Sequence, residues 1–501
     1  MKLLVAVLFT ALCGTLIPVR LFAQDVTLPS RDRSIEVSGN LLGFDGDYYR
    51  VDTVYGELTI DSTGVLCEGP ACPNLESYIV QLTFSGSPVI GRVLLPALIE
   101  GFARQSDLVT VRKEVGDSQI GYWLQSSDAV ETLAYFDIRL TSSDEAFADL
   151  LALDADVAMA LRVAEPDEIT LAKEIGLGVL TNGRQQAFLG MDAVTFVVPE
   201  HSGLTSLSKL QLSQVMSGKI RNWAELTDSE PAPLRLYSQP GAVSVLMQSG
   251  YDFTSEDAEG LTPQTSPFPE QPGNLAFGLA LLSSLPKKMR PIGLTTPCGI
   301  SHDPNELAVR SGEIAHAFPL VLYRPMRRLP EIGQDFFDYL ESSAGQRVVT
   351  RAGYVPSAPT IYAFEAVWSR IANALLQAET PEQFEALQNA VRTLKPRELF
   401  GGAFRLEVGT EMLDAPSSAL LRQLVRLIEY GELDSRQLMF AGFGADGANA
   451  RMVEQALHDA LQPLSLTAQT VSVEFGDIIP LECPETEGAA RLNTRVEVWI
   501  R

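Results

Sequence analysis

Short apolar runs rich in valine, alanine and phenylalanine alternate with stretches whose apolar residues fall three and four apart. This alternation limits the folds open to the chain more than any other feature. Val80 to Phe84, Ala155 to Ala160, Ala193 to Val198 and Leu234 to Tyr237 read as strands. After the first of them, Val93, Leu94, Ala97, Leu98, Gly101 and Phe102 mark one helical face, with Ser87 at the N-cap position and Pro88 as the first helical residue. Strands that are apolar on both faces need cover on both. The pattern therefore predicts an α/β fold with helices over a largely parallel sheet.

The regions before and after follow other patterns. Between residues 34 and 62, Ile35 and Val37, then Tyr48, Tyr49 and Val51, then Leu58 and Ile60 alternate with polar residues. Turns are expected at Gly39-Asn40, Asp45-Gly46-Asp47 and Tyr55-Gly56-Glu57, which makes 24–76 a small β unit. Beyond the break at Pro356 to Pro359, Ile361, Phe364, Val367, Trp368, Ile371 and Leu375 share one helical face, and Thr380-Pro381-Glu382 opens a second helix. Residues 358–400 read as a helical linker. In 401–501 the order is strand Phe404 to Val408, helix Ser417 to Tyr430, strand Gln437 to Phe443, helix Ala450 to Leu461, then strands Ser472 to Phe475 and Thr494 to Ile500. A length of 501 residues agrees with about three domains.

Met1-Lys2, the uncharged run Leu3 to Leu12 and the small-residue site Leu21-Phe22-Ala23 have the order of a secretory signal, so residues 1–23 are read as a removable leader. A formal charge of −25 argues against nucleic acid as a partner. A small anion remains possible, because local N–H and hydroxyl donors can hold one whatever the net charge. Export permits disulfides. With Cys13 in the leader, Cys67, Cys72, Cys298 and Cys483 remain, and Cys67–Cys72 is the local pairing. Cys298 and Cys483 fall in different modules, either as an interdomain bridge or as two buried thiols. His201, His302, His316 and His458 are scattered, with no zinc-protease helix, nucleophile elbow or phosphate-cradling loop. No enzyme activity, cofactor or metal is expected.

The string Leu82-Thr83-Phe84-Ser85-Gly86-Ser87, the run Ala155-Asp156-Val157-Ala158-Met159 followed by Arg162 and Glu168, and Ser217-Gly218-Lys219-Ile220-Arg221-Asn222-Trp223 resemble the phosphate-binding, PstS-like subunits of ABC transporters. So do Pro319 to Tyr323 and Phe336 to Leu340. The resemblance spans 77–357 and implies a two-lobed, type II periplasmic-binding-protein module that grips a small phosphate-like anion at its hinge and works with an ABC permease. Carried over by position, the ligand-binding residues are Ser85, Ser87, Ser142, Ser143, Arg162 and Gly241. Each serine also suits simple N-capping, which would satisfy the same amides internally. Pro88 stands where the family has a hydroxyl residue, Ala160-Leu161 where it often has two serines, and Gln239 to Val243 form a reduced version of its third anion loop. Each lost donor costs about 1–3 kcal/mol, so this pattern predicts a weak phosphate site.

Phe404-Arg405-Leu406, Gly442-Phe443, Phe475-Gly476-Asp477, Pro480 and Asn493-Thr494-Arg495-Val496-Glu497-Val498 resemble the OmpA-like, peptidoglycan-associating domain. The resemblance implies a βαβαβ domain at 401–501 and peptidoglycan as a partner, with a carboxylate and a guanidinium holding a zwitterionic group of the wall. Ala445 and Ala456 occupy the family's two positions here, leaving Asp446 and Arg451 as the candidate pair. The expected fold class is thus α/β: a small β unit, a two-lobed binding module and an OmpA-like domain. The expected setting is the periplasm, on the wall or outer-membrane side. The expected function is solute binding, with an envelope scaffold as the alternative.

Overall fold

The computed structural model describes residues 25–31, 33–73, 79–129, 131–181, 183, 185–228, 230–239, 241–243, 245, 266–268, 276–314, 316–326, 329–406, 412–444, 449–484 and 488–501. The expected leader, 1–23, and Asp446 lie outside them. Two compact units are present: 1–80 with 329–331, and 81–328 with 332–501.

In the first unit, strands β1 (Val26–Pro29), β2 (Glu36–Phe44), β3 (Tyr48–Thr53) and β4 (Gly56–Asp61) form one sheet in chain order. The turn into β3 is built by Asp45, whose carboxylate accepts the N–H groups of Asp47 (3.0 Å) and Tyr48 (2.7 Å). Val26, Leu28, Tyr49 and Val51 form the core, and Cys67 and Cys72 pack beside it, joined as a disulfide. The expected turn at Gly39-Asn40 is instead the middle of β2. A Cβ on Gly39 would stand 2.3 Å from the Asp52 carbonyl oxygen, so this glycine serves close strand approach and not chain reversal.

The second unit opens with β5 (Val80–Gly86), whose chain turns at Ser87 into a helical run that starts at Pro88 and ends in the α-helix Leu95–Gln105. β6 (Val109–Gly116), β7 (Gln119–Gln125) and β8 (Thr132–Leu140) follow as an antiparallel meander. The helix Ser143–Ala152 then leads to β9 (Val157–Ala160), which pairs parallel with β5. β10 (Gln186–Pro199) is the hinge strand. Gln186 to Ala193 pair with β17 (Ala317–Tyr323), while Val194 to Pro199 pair with strands of a second lobe. That lobe contains β11 (Ser206–Ser208), β12 (Arg235–Ser238), β13 (Ser266–Pro267), β14 (Ala276–Leu281), β15 (Met289–Thr295) and β16 (Ser301–His302). β18 (Val355–Pro356) adds to β10 on the first-lobe side. The sheet is mixed and not largely parallel. β6, β7 and β8 are consecutive and joined by short turns, a connection only antiparallel strands allow.

The remaining strands are β19 (Ile361–Tyr362), β20 (Glu398–Phe404), β21 (Gln437–Phe443), β22 (Gln469–Gly476) and β23 (Arg495–Ile500). They form a separate sheet in the order β19-β20-β23-β21-β22. Helices Ala415–Glu429 and Asn449–Leu461 cover one face through Leu424, Ile428, Val453 and Leu457. Helices Trp368–Gln377 and Pro381–Leu394, read in the sequence as a linker, cover the other face through Ile371, Leu387 and Leu394 against Met439 and Trp499. The first strand lies at 398–404, earlier than expected at 404–408. Its register with β23 shifts between Phe400 and Ala403, where Gly401 and Gly402 take φ values of +62° and +145°. A Gly-Gly pair reads as a loop in sequence and is a bulge in the sheet. Among the described residues no helix is long and apolar enough to cross a membrane.

Candidate functional site

β5 ends beside the N-terminus of helix Ser143–Ala152, where the free N–H groups and positive dipole end favour an anion. The structure brings the predicted serines to this region and commits their hydroxyls to internal partners. Ser85 is 0% exposed and donates to the Asp149 carboxylate at 2.6 Å. Ser87 Oγ accepts the Val89 N–H at 3.2 Å, and Ser142 Oγ caps Glu145 N–H at 3.1 Å. Ser143 Oγ accepts the Leu161 N–H at 3.0 Å. Gly241 sits exposed in the second lobe with φ +86°, a backbone conformation that favours glycine.

Arg162 lies over the Phe147 ring, 4.7 Å from its centroid, and is enclosed by carboxylates. Its guanidinium meets Glu168 and Asp144, each at 2.7 Å, and Glu165 at 3.9 Å. Hydrogen bonds to Glu168, with those to Asp144, raise its pKa further above the ordinary arginine value. Three carboxylates around one guanidinium leave this corner acidic. The sequence placed Arg162 as the anion's charged donor. The resemblance pairs Arg162 with Glu168 but carries no hint of Asp144, which arrives from the neighbouring helix.

Ser143 and Arg162 open onto a cleft of about 1200 Å³. Its first wall also carries Asp144, Val163 and Ile169, and its floor includes Phe318 and Pro319 of β17. The opposite wall belongs to the C-terminal module: Leu406, Met412, Asp414, Met452, Ala456 and Arg491. Ser85, Ser87, Ser142 and Gly241 are not among its described lining. Sequence reasoning treated the two modules separately, so it had no means of finding this wall.

The C-terminal module is fixed against both lobes. On the second lobe, Cys298 and Cys483 form a disulfide with Cα atoms 5.9 Å apart, and Lys209 Nζ meets Glu482 at 3.1 Å. Between them runs a buried network. Arg370 bonds Glu313 through Nε (2.8 Å), Glu497 through Nη1 (3.0 Å) and Ser311 Oγ through Nη2 (2.6 Å). Glu497 in turn accepts from Arg495 Nε at 2.8 Å. Burial works to raise the Glu313 pKa, but Arg370 and His302 beside it hold the carboxyl below the ordinary value. On the first lobe, Arg426 reaches Glu341 at 2.6 Å, and Ala419 packs with Phe147 and Leu150. Asn493, Arg495 and Glu497 of the closing motif are thus engaged in holding the fold. Arg451 stands exposed on its helix, near enough to Glu474 to lower a carboxyl that burial raises.

Residues 77–245 match the model of the PBP superfamily domain. The phosphate-binding protein PstS of Bacillus subtilis (strain 168) is 28% identical over 184 residues, 34% of this chain and 56% of that protein. The chain therefore spans about half the length of this curated relative. An ABC-type phosphate transport receptor from Vibrio cholerae aligns at 16% identity with a TM-score of 0.39, over 55% of this chain and 99% of the receptor. A putative phosphate ABC transporter substrate-binding protein from Clostridium perfringens, solved with bound phosphate, aligns at 16% and a TM-score of 0.38, over 55% of this chain and 99% of that one. Residues 77–245 are thus similar to a PBP superfamily domain, and the chain is similar in part to a phosphate-binding protein.

Proposed function

We propose that this chain is an exported solute-binding protein whose cleft takes a solute bearing an anionic group, and whose C-terminal module associates with the cell wall. The observation that carries the reading is the cleft where Ser143 and Arg162 meet β17, the strand paired with the first-lobe half of the hinge strand β10. Its first wall lies in the chain's PBP-like region, which is similar to a phosphate-binding protein. An ABC permease is the corresponding partner. The role proposed is binding and not catalysis, in line with the phosphate-binding protein to which the chain is similar.

Phosphate is the first solute to test. Titration of the mature chain with phosphate and other oxyanions by calorimetry is expected to give weak, saturable heat. Neutralising Asp144 (Asp144→Asn) frees part of the Arg162 guanidinium and is expected to tighten binding several-fold. No heat with any anion in either protein would sink the anion reading. For the wall, sedimentation with purified peptidoglycan is expected to retain the chain, and Asp446→Ala and Arg451→Ala are each expected to release it. Equal retention of all three would remove that pair from the site. A scaffold role is the second reading, favoured by the internal commitment of the Ser85, Ser87 and Ser142 hydroxyls.

A further inference from the structure

The cleft is far larger than a tetrahedral anion, and at about 1200 Å³ it exceeds the roughly 300–1,000 Å³ common for drug-sized ligands. Its two walls differ in charge. The first is acidic, because Asp144, Glu165 and Glu168 surround the single Arg162 guanidinium. A bare anion brought there meets more negative than positive charge, whereas an ammonium group finds carboxylates already in place. The opposite wall holds Arg491, an exposed guanidinium that forms no ion pair with any described residue. Arginine is suited to gripping a carboxylate with two parallel hydrogen bonds. Val163 on the first wall, Phe318 on the floor and Met412 and Met452 on the opposite wall add an apolar lining in which flexible methionine side chains adapt to varied shapes.

The second wall is also preformed. The Cys298–Cys483 bridge, the Arg370 network and the Arg426–Glu341 pair hold the C-terminal module on both lobes before any ligand arrives. A preformed cleft avoids part of the ordering cost of binding an extended ligand.

We infer that this composite cleft binds a short peptide with free ends, its ammonium on the Asp144–Glu165 side and its carboxylate on Arg491. The inference rests on the solute-binding reading and names the solute class. It also makes the C-terminal module part of the ligand site in addition to its proposed wall contact.

The test uses the full mature chain and a randomised pool of tetrapeptides in three forms: free ends, N-acetylated and C-amidated. Thermal shift and calorimetry are read alongside inorganic phosphate. The free-ended pool is expected to raise the melting temperature, with each end-blocked pool binding at least tenfold more weakly. Arg491→Ala is expected to abolish the difference between acid and amide while leaving the penalty of N-acetylation intact, a pattern that general misfolding would not produce. Ala456→Trp, which places an indole in the cleft, is expected to remove peptide binding with the unliganded melting temperature retained. Phosphate binding with no response to any peptide pool would overturn this inference and leave the solute-binding reading standing. Silence toward both would overturn the two together. Peptide binding indifferent to both blocked ends and to Arg491→Ala would overturn the assignment of the walls.

Discussion

At the scale of single residues, burial turns two ionisable groups, Asp192 on β10 and His316 in the turn before β17, into opposing pH sensors. Asp192 on β10 accepts from Ser283 Oγ at 2.6 Å, and burial pushes its carboxyl up to about 6. Burial, with the Lys209 charge nearby, pushes His316 down to about 4. The folded chain thus keeps the Asp192 proton up to about pH 6, while the unfolded chain releases it near 3.8. The stability this group contributes is full at low pH and is lost as pH rises through that window. His316 acts in reverse: the unfolded chain takes up its proton below 6.5 and the folded chain only below about 4, so its contribution is lost as pH falls. Each amounts to about 3 kcal/mol, and the two nearly cancel between pH 4 and 6. Thermal unfolding of Asp192→Asn is expected to show stability rising with pH across that range, and His316→Gln to show it falling. Parallel profiles for both variants and the parent would contradict the assignment.

At the scale of elements, legibility in the sequence followed periodicity. The N-cap at Thr380 with Pro381 is where the residue pattern put it: Thr380 Oγ1 accepts Gln383 N–H at 3.3 Å. Strand β9 is apolar throughout and β21 is apolar after Gln437, and the residue pattern places both. β23 was half legible. Val496, Val498 and Ile500 alternate as one buried face, while Arg495 and Glu497 on the other face are charged and yet only 1% and 2% exposed. Their burial is possible because Arg370 comes from a helix 127 residues earlier than Glu497 and supplies the countercharge. No local pattern encodes that meeting. The candidate anion site shows the same limit. Of its serines only Ser143 is among the described cleft lining, and the groups that occupy the four hydroxyls, Asp149 and the Val89, Glu145 and Leu161 amides, were not legible in the motif.

At the scale of the second unit, one covalent link joins modules that local sequence treats as independent. Cys298 and Cys483 are 185 residues apart, and closing so long a loop is worth about 5 kcal/mol in the chain-entropy account. The double variant Cys298→Ser, Cys483→Ser is expected to unfold at a lower temperature, with the binding module and the C-terminal module separating into two transitions. A single transition at the parent's temperature would show that the buried ion network alone couples them. In the sequence the two thiols were equally compatible with a bridge and with no bond, because cysteine spacing carries no distance information across a domain boundary.

By itself the sequence determined the alternation of strands and helices, the small β unit, the caps that start the helices and, within the 77–357 it suggested, the PBP-like character that the family model matches at 77–245, all of which arise from contacts between near neighbours or from short motifs. Only the tertiary structure decided which carboxylates surround Arg162, which helices cover β23, and that the C-terminal module forms a wall of the cleft. Those outcomes depend on groups far apart in the chain being brought within a few ångströms. Their charge, burial and pairing become defined only when the modules pack.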